Sequence, residues 1–248
     1  MSIFEAPPAS PDPPGGSDQP AAPSEERRGL SVMQIGVLVA AVAFLAGAIG
    51  FVVGERANGD PLNRVDVGFM QDMGFHHDQA VEMSLMLLSK DEVDPALRAF
   101  AQEIILGQRY EQGLFSALLD RWGHSSDPGK TVMDWMGQPM PAEEMEGLAT
   151  EAQMKDLREA SGTDAEALWI ALMSDHHLAG LHMADHGARY GADRTVVNLA
   201  EAMVRYQRSE VLDIQRYRAR REVPIPAGFT DPLRDQRLNP ITFTDPPD

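Results

Sequence analysis

Two segments of the chain repeat the same pattern of metal-binding residue types. The first reads M-G-F-H-H-D-Q-A-V-E-M over residues 73–83, and the second reads M-S-D-H-H-L-A-G-L-H-M over residues 173–183. A Gln-x-x-Glu motif follows each of them, at residues 108–111 and 207–210. The duplication predicts two helical hairpins, each with a His-bearing helix followed by a Gln/Glu-bearing helix. Two such hairpins pack as an antiparallel four-helix bundle.

Helical periodicity and turn residues give the expected boundaries within a folded domain at residues 60–222. Pro95 suits the first turn of a helix, and Gly191 suits a helix end. A Pro/Gly-rich crossover at 124–162 is expected to contain one short helix, and residues 223–248 are expected to form an extended tail. The predicted helices cover residues 63–89, 95–122, 142–160, 164–190 and 194–221.

The N-terminal region predicts a membrane anchor. Residues 1–29 are rich in Pro, Ser and Gly and are interpreted as a disordered cytoplasmic tail. Within residues 30–54, the stretch 35–54 is uncharged and long enough to span a bilayer. A cleaved signal peptide is the alternative, although its apolar region is usually shorter. Arg27 and Arg28 precede the span, so the positive-inside rule favours a single-pass cell-membrane protein whose domain is extracytoplasmic.

Composition narrows the chemistry. The chain has no cysteine, which excludes disulfides, thiolate zinc sites and cysteine nucleophiles, but it contains 14 methionines and 7 histidines. Its formal net charge of −17 argues against nucleic-acid binding. The acidic surface suits attraction of cations, but it also keeps a protein soluble. A His- and Met-rich chain without cysteine is typical of sites for soft metal ions.

Residues three, four and seven positions apart share one face of a helix. Each repeat therefore places Met, His and Met on one stripe, with Ala80 or Gly180 between them. The second repeat adds an Asp175, His182 and His186 stripe, so a second site would be asymmetric. The candidate ligands from the two repeats are Met73, His76, His77, Met83, Met173, His176, His177, Met183, His182 and His186.

The glutamates of the second helices are candidates for groups that orient the histidines. A buried carboxylate needs a partner, and a hydrogen bond to an imidazole both satisfies it and fixes the His tautomer. The alternative is a surface salt bridge of each Glu with the neighbouring Arg109 or Arg208. The proposed supporting residues are Gln108, Glu111, Gln207 and Glu210.

Thioether and imidazole donors together favour Cu(I), or Ag(I), over hard ions, with zinc bound through His alone as the main competitor. A di-iron site would need Glu-x-x-His, but Met73 and Met173 stand three residues before His76 and His176. Taken singly, Met stripes are often core packing, and His pairs are often hydrogen-bonded in a core. Two interpretations apply to the methionines of the crossover: they collect copper, or they pack the crossover onto the bundle, which is the favoured interpretation. These methionines are Met133, Met136, Met140, Met145 and Met154.

The chain resembles the bacterial family called domain of unknown function 305 over roughly residues 64–218. The resemblance is carried by V-D-V-G-F-M-Q-D-M-G-F-H-H-D-Q-A-V-E-M (65–83), Q-R-Y-E (108–111), M-D-W-M-G-Q-P-M (133–140), L-R-E-A-S-G (157–162) and M-S-D-H-H-L-A-G-L-H-M-A (173–184). It implies a ferritin-like fold, and some members are associated with copper binding and resistance. It also implies that the His pairs and flanking methionines of both repeats are ligands.

These observations predict a membrane-anchored extracytoplasmic protein that buffers or transfers copper, or confers resistance to it. No nucleophile elbow, phosphate loop or dinucleotide fingerprint occurs in the sequence, so the protein is expected not to be an enzyme. The alternative is a structural or accessory subunit of a membrane complex whose His pairs form a core hydrogen-bond network. A protein partner or a homo-oligomer is compatible with either function.

Overall fold

The computed structural model describes residues 42–47 and 62–241. The chain divides into two compact units, residues 1–57 and 58–248. In the first, residues 42–47 are helical and exposed; the rest of the predicted 30–54 anchor and the predicted 1–29 tail lie outside the described residues. In the part of the chain that the structure describes, no helix combines the length and apolar character that a bilayer span requires.

The second unit contains five α-helices within the described residues, and side-chain caps mark where four of them begin. At the start of α1, Asn63 and Asp66 form a capping box. Asp94 caps α2, whose first residue is Pro95, and Asp193 caps α5. The helices are α1 (Arg64–Leu88), α2 (Pro95–Arg121), α3 (Glu151–Glu159), α4 (Gly162–Tyr190) and α5 (Arg194–Arg221).

The four long helices form two hairpins, α1 with α2 and α4 with α5, and the first helices of the two hairpins pack against each other. Two large buried apolar clusters fill the interior. One contains Leu87, Leu97 and Trp169, and the other contains Phe69 and Phe115. The prediction of a mostly helical fold built from two hairpins is therefore confirmed.

The crossover differs in detail from the sequence prediction. The predicted helix at 142–160 is wrong in its first part, because Ala142–Glu144 forms a single 3₁₀ turn and α3 begins only after Thr150. Thr150 and Gln153 form a capping box, which fixes this later start. A small antiparallel ladder, β1 (Thr131–Val132) with β2 (Met140–Pro141), precedes it.

Buried contacts fasten the crossover to α1. The carboxylate of Asp72 accepts hydrogen bonds from the Met133 backbone N–H at 2.6 Å and from Trp135 Nε1 at 2.7 Å. Burial raises the pKa of Asp72. The packing interpretation of the crossover methionines is confirmed, because they are buried or partly buried against the core: Met133, Met136, Met140, Met145 and Met154.

The segment after α5 is not simply extended. It contains two 3₁₀ turns, Pro232–Arg234 and Gln236–Leu238, and both lie against α4. Arg237 anchors it there, with ion pairs to Glu146 at 2.8 Å and to Asp175 at 2.7 Å. The final residues, 242–248, lie outside the described part of the chain.

Candidate metal centre

Both histidine pairs lie in the interior where α1 packs against α4. His76, His77 and His177 have no exposed surface, and His176 is 1% exposed. The rings of His76 and His176 are stacked, with centroids 3.6 Å apart and planes 28° from parallel. His176 Nε2 donates a hydrogen bond to the His76 carbonyl oxygen at 2.9 Å. The duplication therefore brings its equivalent histidines into direct contact.

Methionines flank this histidine layer on both sides. Met73 and Met183 belong to one buried cluster, and Met83 and Met173 belong to the other. All four are at most 1% exposed. Because α1 and α4 carry the same Met-x-x-His pattern and pack together, each cluster receives one thioether from each repeat. The interior thus contains an imidazole layer between two pairs of thioethers.

Each outer helix supplies a carboxylate to one buried histidine. The distance from His77 Nε2 to Glu111 Oε2 is 2.7 Å, and that from His177 Nε2 to Glu210 Oε2 is 3.0 Å. The His–Glu contact expected from the sequence is present in both repeats. Arg109 pairs with Asp78 at 2.8 Å, so the alternative salt bridge with Glu111 is not seen among the described residues.

These contacts determine which ring nitrogen carries the proton. A carboxylate or carbonyl oxygen only accepts hydrogen bonds, so Nε2 of His77, His176 and His177 must be the protonated nitrogen. In a neutral ring, Nδ1 then carries a lone pair. None of these three Nδ1 atoms has a hydrogen-bond partner in the described structure, and neither nitrogen of His76 has one. Five of the eight ring nitrogens are thus buried and unpartnered.

Burial also keeps the central rings neutral. It lowers the pKa of His76 and His176 well below the usual histidine value, because the charged form of each ring would lose its hydration. Neutral imidazole is the form that binds metal ions, because a protonated nitrogen has no lone pair to donate. The environment therefore favours ligand-competent histidines.

The two glutamines of the second helices lie beside the same layer. Gln108 and Gln207 are 5% and 4% exposed, and their amides include atoms without a hydrogen-bond partner among the described residues: Gln108 Oε1, Gln207 Oε1 and Gln207 Nε2. A Cβ atom on Gly180 would overlap Gln207 Oε1, so this glycine allows the amide to lie directly against α4.

His182 and His186 contact side chains that do not belong to the histidine layer. His182 Nδ1 lies 3.6 Å from Glu146 Oε2, and this contact raises the pKa of His182. The ring of His186 lies 5.4 Å from Trp135 and 4.5 Å from Tyr190, centroid to centroid. No pattern in the sequence indicated the Glu146 contact, which depends on how the crossover packs. The structure does not bring these histidines into a common cluster with the four buried ones.

Imidazole and carboxylate groups alone do not enclose an ion here. Over residues 42–47 and 62–241, no group of three or more His, Cys, Asp or Glu side chains is arranged so that it could hold a metal ion. Any ion at the histidine layer would therefore need the thioethers, a ring rotation that separates the stacked pair, or both. The buried donor atoms at and beside this layer are ring nitrogens, glutamine amide oxygens and methionine sulfurs.

The fold and this interior define a class of mostly helical proteins in which a duplicated hairpin buries paired histidines between methionines. The model of the family described as Domain of unknown function (DUF305) matches residues 66–218. The chain belongs to the DUF305 family.

Two solved structures of DUF305 proteins share this fold. One from Streptomyces coelicolor is 33% identical, with a TM-score of 0.60, and the match covers 65% of this chain and 96% of that one. A DUF305 fragment from Deinococcus radiodurans is 28% identical, with a TM-score of 0.56, over 64% of this chain and 99% of the other. CopM in its Cu(I)-bound form is 22% identical, with a TM-score of 0.47, over 62% and 96%. A comparison with curated proteins finds no match.

Proposed function

We propose that this protein binds a soft metal ion, Cu(I), at the buried histidine layer between α1 and α4. The observation that carries the proposal is that Nδ1 of His77, His176 and His177 is buried without a hydrogen-bond partner, while Nε2 of these rings donates to Glu111, the His76 carbonyl and Glu210 in turn. Leaving a buried polar group unpaired costs about 1–3 kcal/mol. A cation that accepts the Nδ1 lone pairs would remove this cost.

The choice of metal follows from the donors. Zinc sites in proteins are usually completed by several His, Cys or carboxylate ligands, and the described residues have no such cluster. Among the other donors beside the histidines, the uncharged thioethers favour Cu(I) over zinc. We assign the ligand role to His76, His77, His176 and His177, with sulfur supplied on one side by Met73 and Met183 and on the other by Met83 and Met173. Met73 and Met83 are about 15 Å apart along their helix, so one ion would use one of these two pairs at a time. His182 and His186 are left out of this site because they contact other side chains.

We further propose that a ferritin-like four-helix bundle carries this site, and that residues 30–54 anchor it in the cell membrane with the domain extracytoplasmic. The anchor is supported by the uncharged stretch 35–54 and the arginines before it. In this arrangement the protein would buffer or hand over copper and would not catalyse a reaction.

Conservative removal of the thioethers tests the assignment. Leu replaces Met with little change of volume, so the fold should survive in a variant with Met73, Met83, Met173 and Met183 all changed to Leu. The full-length protein is titrated with Cu(I) against a competing chromophoric chelator. We expect the affinity to fall at least about tenfold, which is 1.4 kcal/mol.

A matched control changes Met133→Leu and Met154→Leu, which are buried in the same two apolar clusters but belong to the crossover and not to the repeats. This control should bind Cu(I) like the wild type. Equal affinity of the fourfold variant and the wild type would exclude the methionines as ligands, and absence of Cu(I) binding by the wild type would exclude the function.

A structural role in a membrane complex is the second candidate, and the two His–Glu pairs favour it. In this case the histidines form a core hydrogen-bond network. Metal would then leave the melting temperature unchanged, whereas a ligand that binds only the folded state raises it. Purification together with a partner protein and no thermal shift with Cu(I) would favour this second function.

A further inference from the structure

A cleft lies between the outer helices α2 and α5, which make little contact with each other. Its volume is about 330 Å³. Exposed Tyr110 and Tyr206 line it toward solvent, and Leu199 and Ala202 contribute apolar lining. Apart from Gly107, the remaining lining is polar and comes from equivalent positions of the two repeats: Gln108, Glu111, Gln207 and Glu210.

The polar lining connects solvent to the buried histidines. The Glu111 side chain is 19% exposed and that of Glu210 is 33% exposed, yet each contacts a ring with no exposed surface. Beside them, Gln108 and Gln207 have buried amide oxygens without hydrogen-bond partners in the described part of the chain. Carboxylate and amide oxygens therefore run from the cleft to the imidazoles.

We propose that this cleft is the route by which a monovalent soft cation enters and leaves the histidine layer, with Glu111 and Glu210 as the carboxylates that receive it. This inference rests on the proposed function, because it concerns access to the same site. Negative charges that lie together in a cleft with low-dielectric walls raise the local concentration of a cation and its rate of association. The amide oxygens then replace part of its hydration on the way in.

Narrowing the cleft tests the route without changing a ligand. Ala202→Trp adds a large side chain to the cleft lining, and Ala219→Trp, at an exposed position of the same helix outside the lining, is the matched control. Each full-length protein is loaded with Cu(I), and release to excess bicinchoninate is followed by absorbance. We expect Ala202→Trp to slow release and uptake at least about tenfold with unchanged equilibrium affinity, and Ala219→Trp to behave like the wild type.

A second variant removes charge and keeps shape. Glu111→Gln with Glu210→Gln should slow Cu(I) uptake and weaken its dependence on ionic strength, whereas Glu103→Gln with Glu151→Gln, both exposed and outside the cleft, should do neither. Wild-type uptake and release rates in Ala202→Trp would overturn the route alone. Wild-type uptake with an unchanged ionic-strength dependence in the Glu111/Glu210 variant would overturn the role of the two carboxylates in it. Failure of the wild type to bind Cu(I) at equilibrium would overturn the proposed function and the route together.

Discussion

Replacing Gly68 with alanine should destabilise the fold, although alanine is the better helix former. Gly68 lies in α1 under the crossover, and a Cβ atom there would lie 2.7 Å from Trp135 Cβ and closer still to its ring. Carbon atoms pack best at about 3.5–4.0 Å, so the indole must move by about 1 Å. Trp135 is 7% exposed and has little room for this movement.

The expected loss of stability is the balance of two costs and one gain. Overpacking costs about 1–3 kcal/mol. Displacing the indole weakens its 2.7 Å hydrogen bond to Asp72, and losing such a bond to a carboxylate costs about 1.5–3 kcal/mol. Alanine returns about 1 kcal/mol of helix propensity. The net loss is about 3 kcal/mol, which lowers the melting temperature of a domain of this size by about 6–12 °C.

The assay is thermal unfolding of the full-length protein, followed by far-ultraviolet circular dichroism, with urea titrations at 25 °C. Gly107→Ala is the matched control, because Gly107 is exposed on α2 and no atom of the described residues would lie within 4 Å of a Cβ added there. It should raise the free energy of unfolding by about 1 kcal/mol. A Gly68→Ala protein as stable as the wild type would refute the contact between α1 and the crossover.

Two further predictions concern pH and the C-terminal segment. Burial lowers the pKa of His76 and His176, so below about pH 6.5 the unfolded chain binds more protons than the folded protein does. Each of the two histidines should therefore reduce the free energy of unfolding by up to about 1.4 kcal/mol per pH unit as the pH falls. Urea titrations of the apo protein between pH 7.5 and 5.5 check this, and a flat profile would contradict it. Arg237→Met removes the ion pairs to Glu146 and Asp175 and should expose residues 223–241 to limited proteolysis, with unchanged cleavage contradicting the anchoring role.

The long helices and their pairing could be predicted from sequence because periodicity and duplication are strong signals. The crossover could not be predicted in the same detail. Ala142, Glu143 and Glu144 suit a helix, but they form a single 3₁₀ turn, and the capping box at Thr150 marks the later start of α3. Local propensity is a weak signal where such contacts compete with it.

The histidine layer, too, could be predicted from the sequence only in part. Met-x-x-His-His spacing indicated which residues share a helix face, and the paired glutamates were expected to reach a neighbouring ring. Nothing in the spacing predicted that His76 and His176 would stack, or that the His76 carbonyl would fix the tautomer of His176. These features depend on the angle and register at which α1 crosses α4. The i, i+4 pair His182 and His186 was a weaker signal, because spacing on one helix does not show which other elements cover it.

X-ray absorption at the copper K-edge tests the central claim most directly. The full-length protein is loaded with equimolar Cu(I), and the spectrum reports which atoms surround the metal. We predict both imidazole nitrogen and thioether sulfur scatterers, with the sulfur contribution lost when Met73, Met83, Met173 and Met183 are changed to Leu. A shell of oxygen or nitrogen alone in the wild-type protein, or a spectrum unchanged by those substitutions, would contradict a copper site between the two histidine-bearing helices.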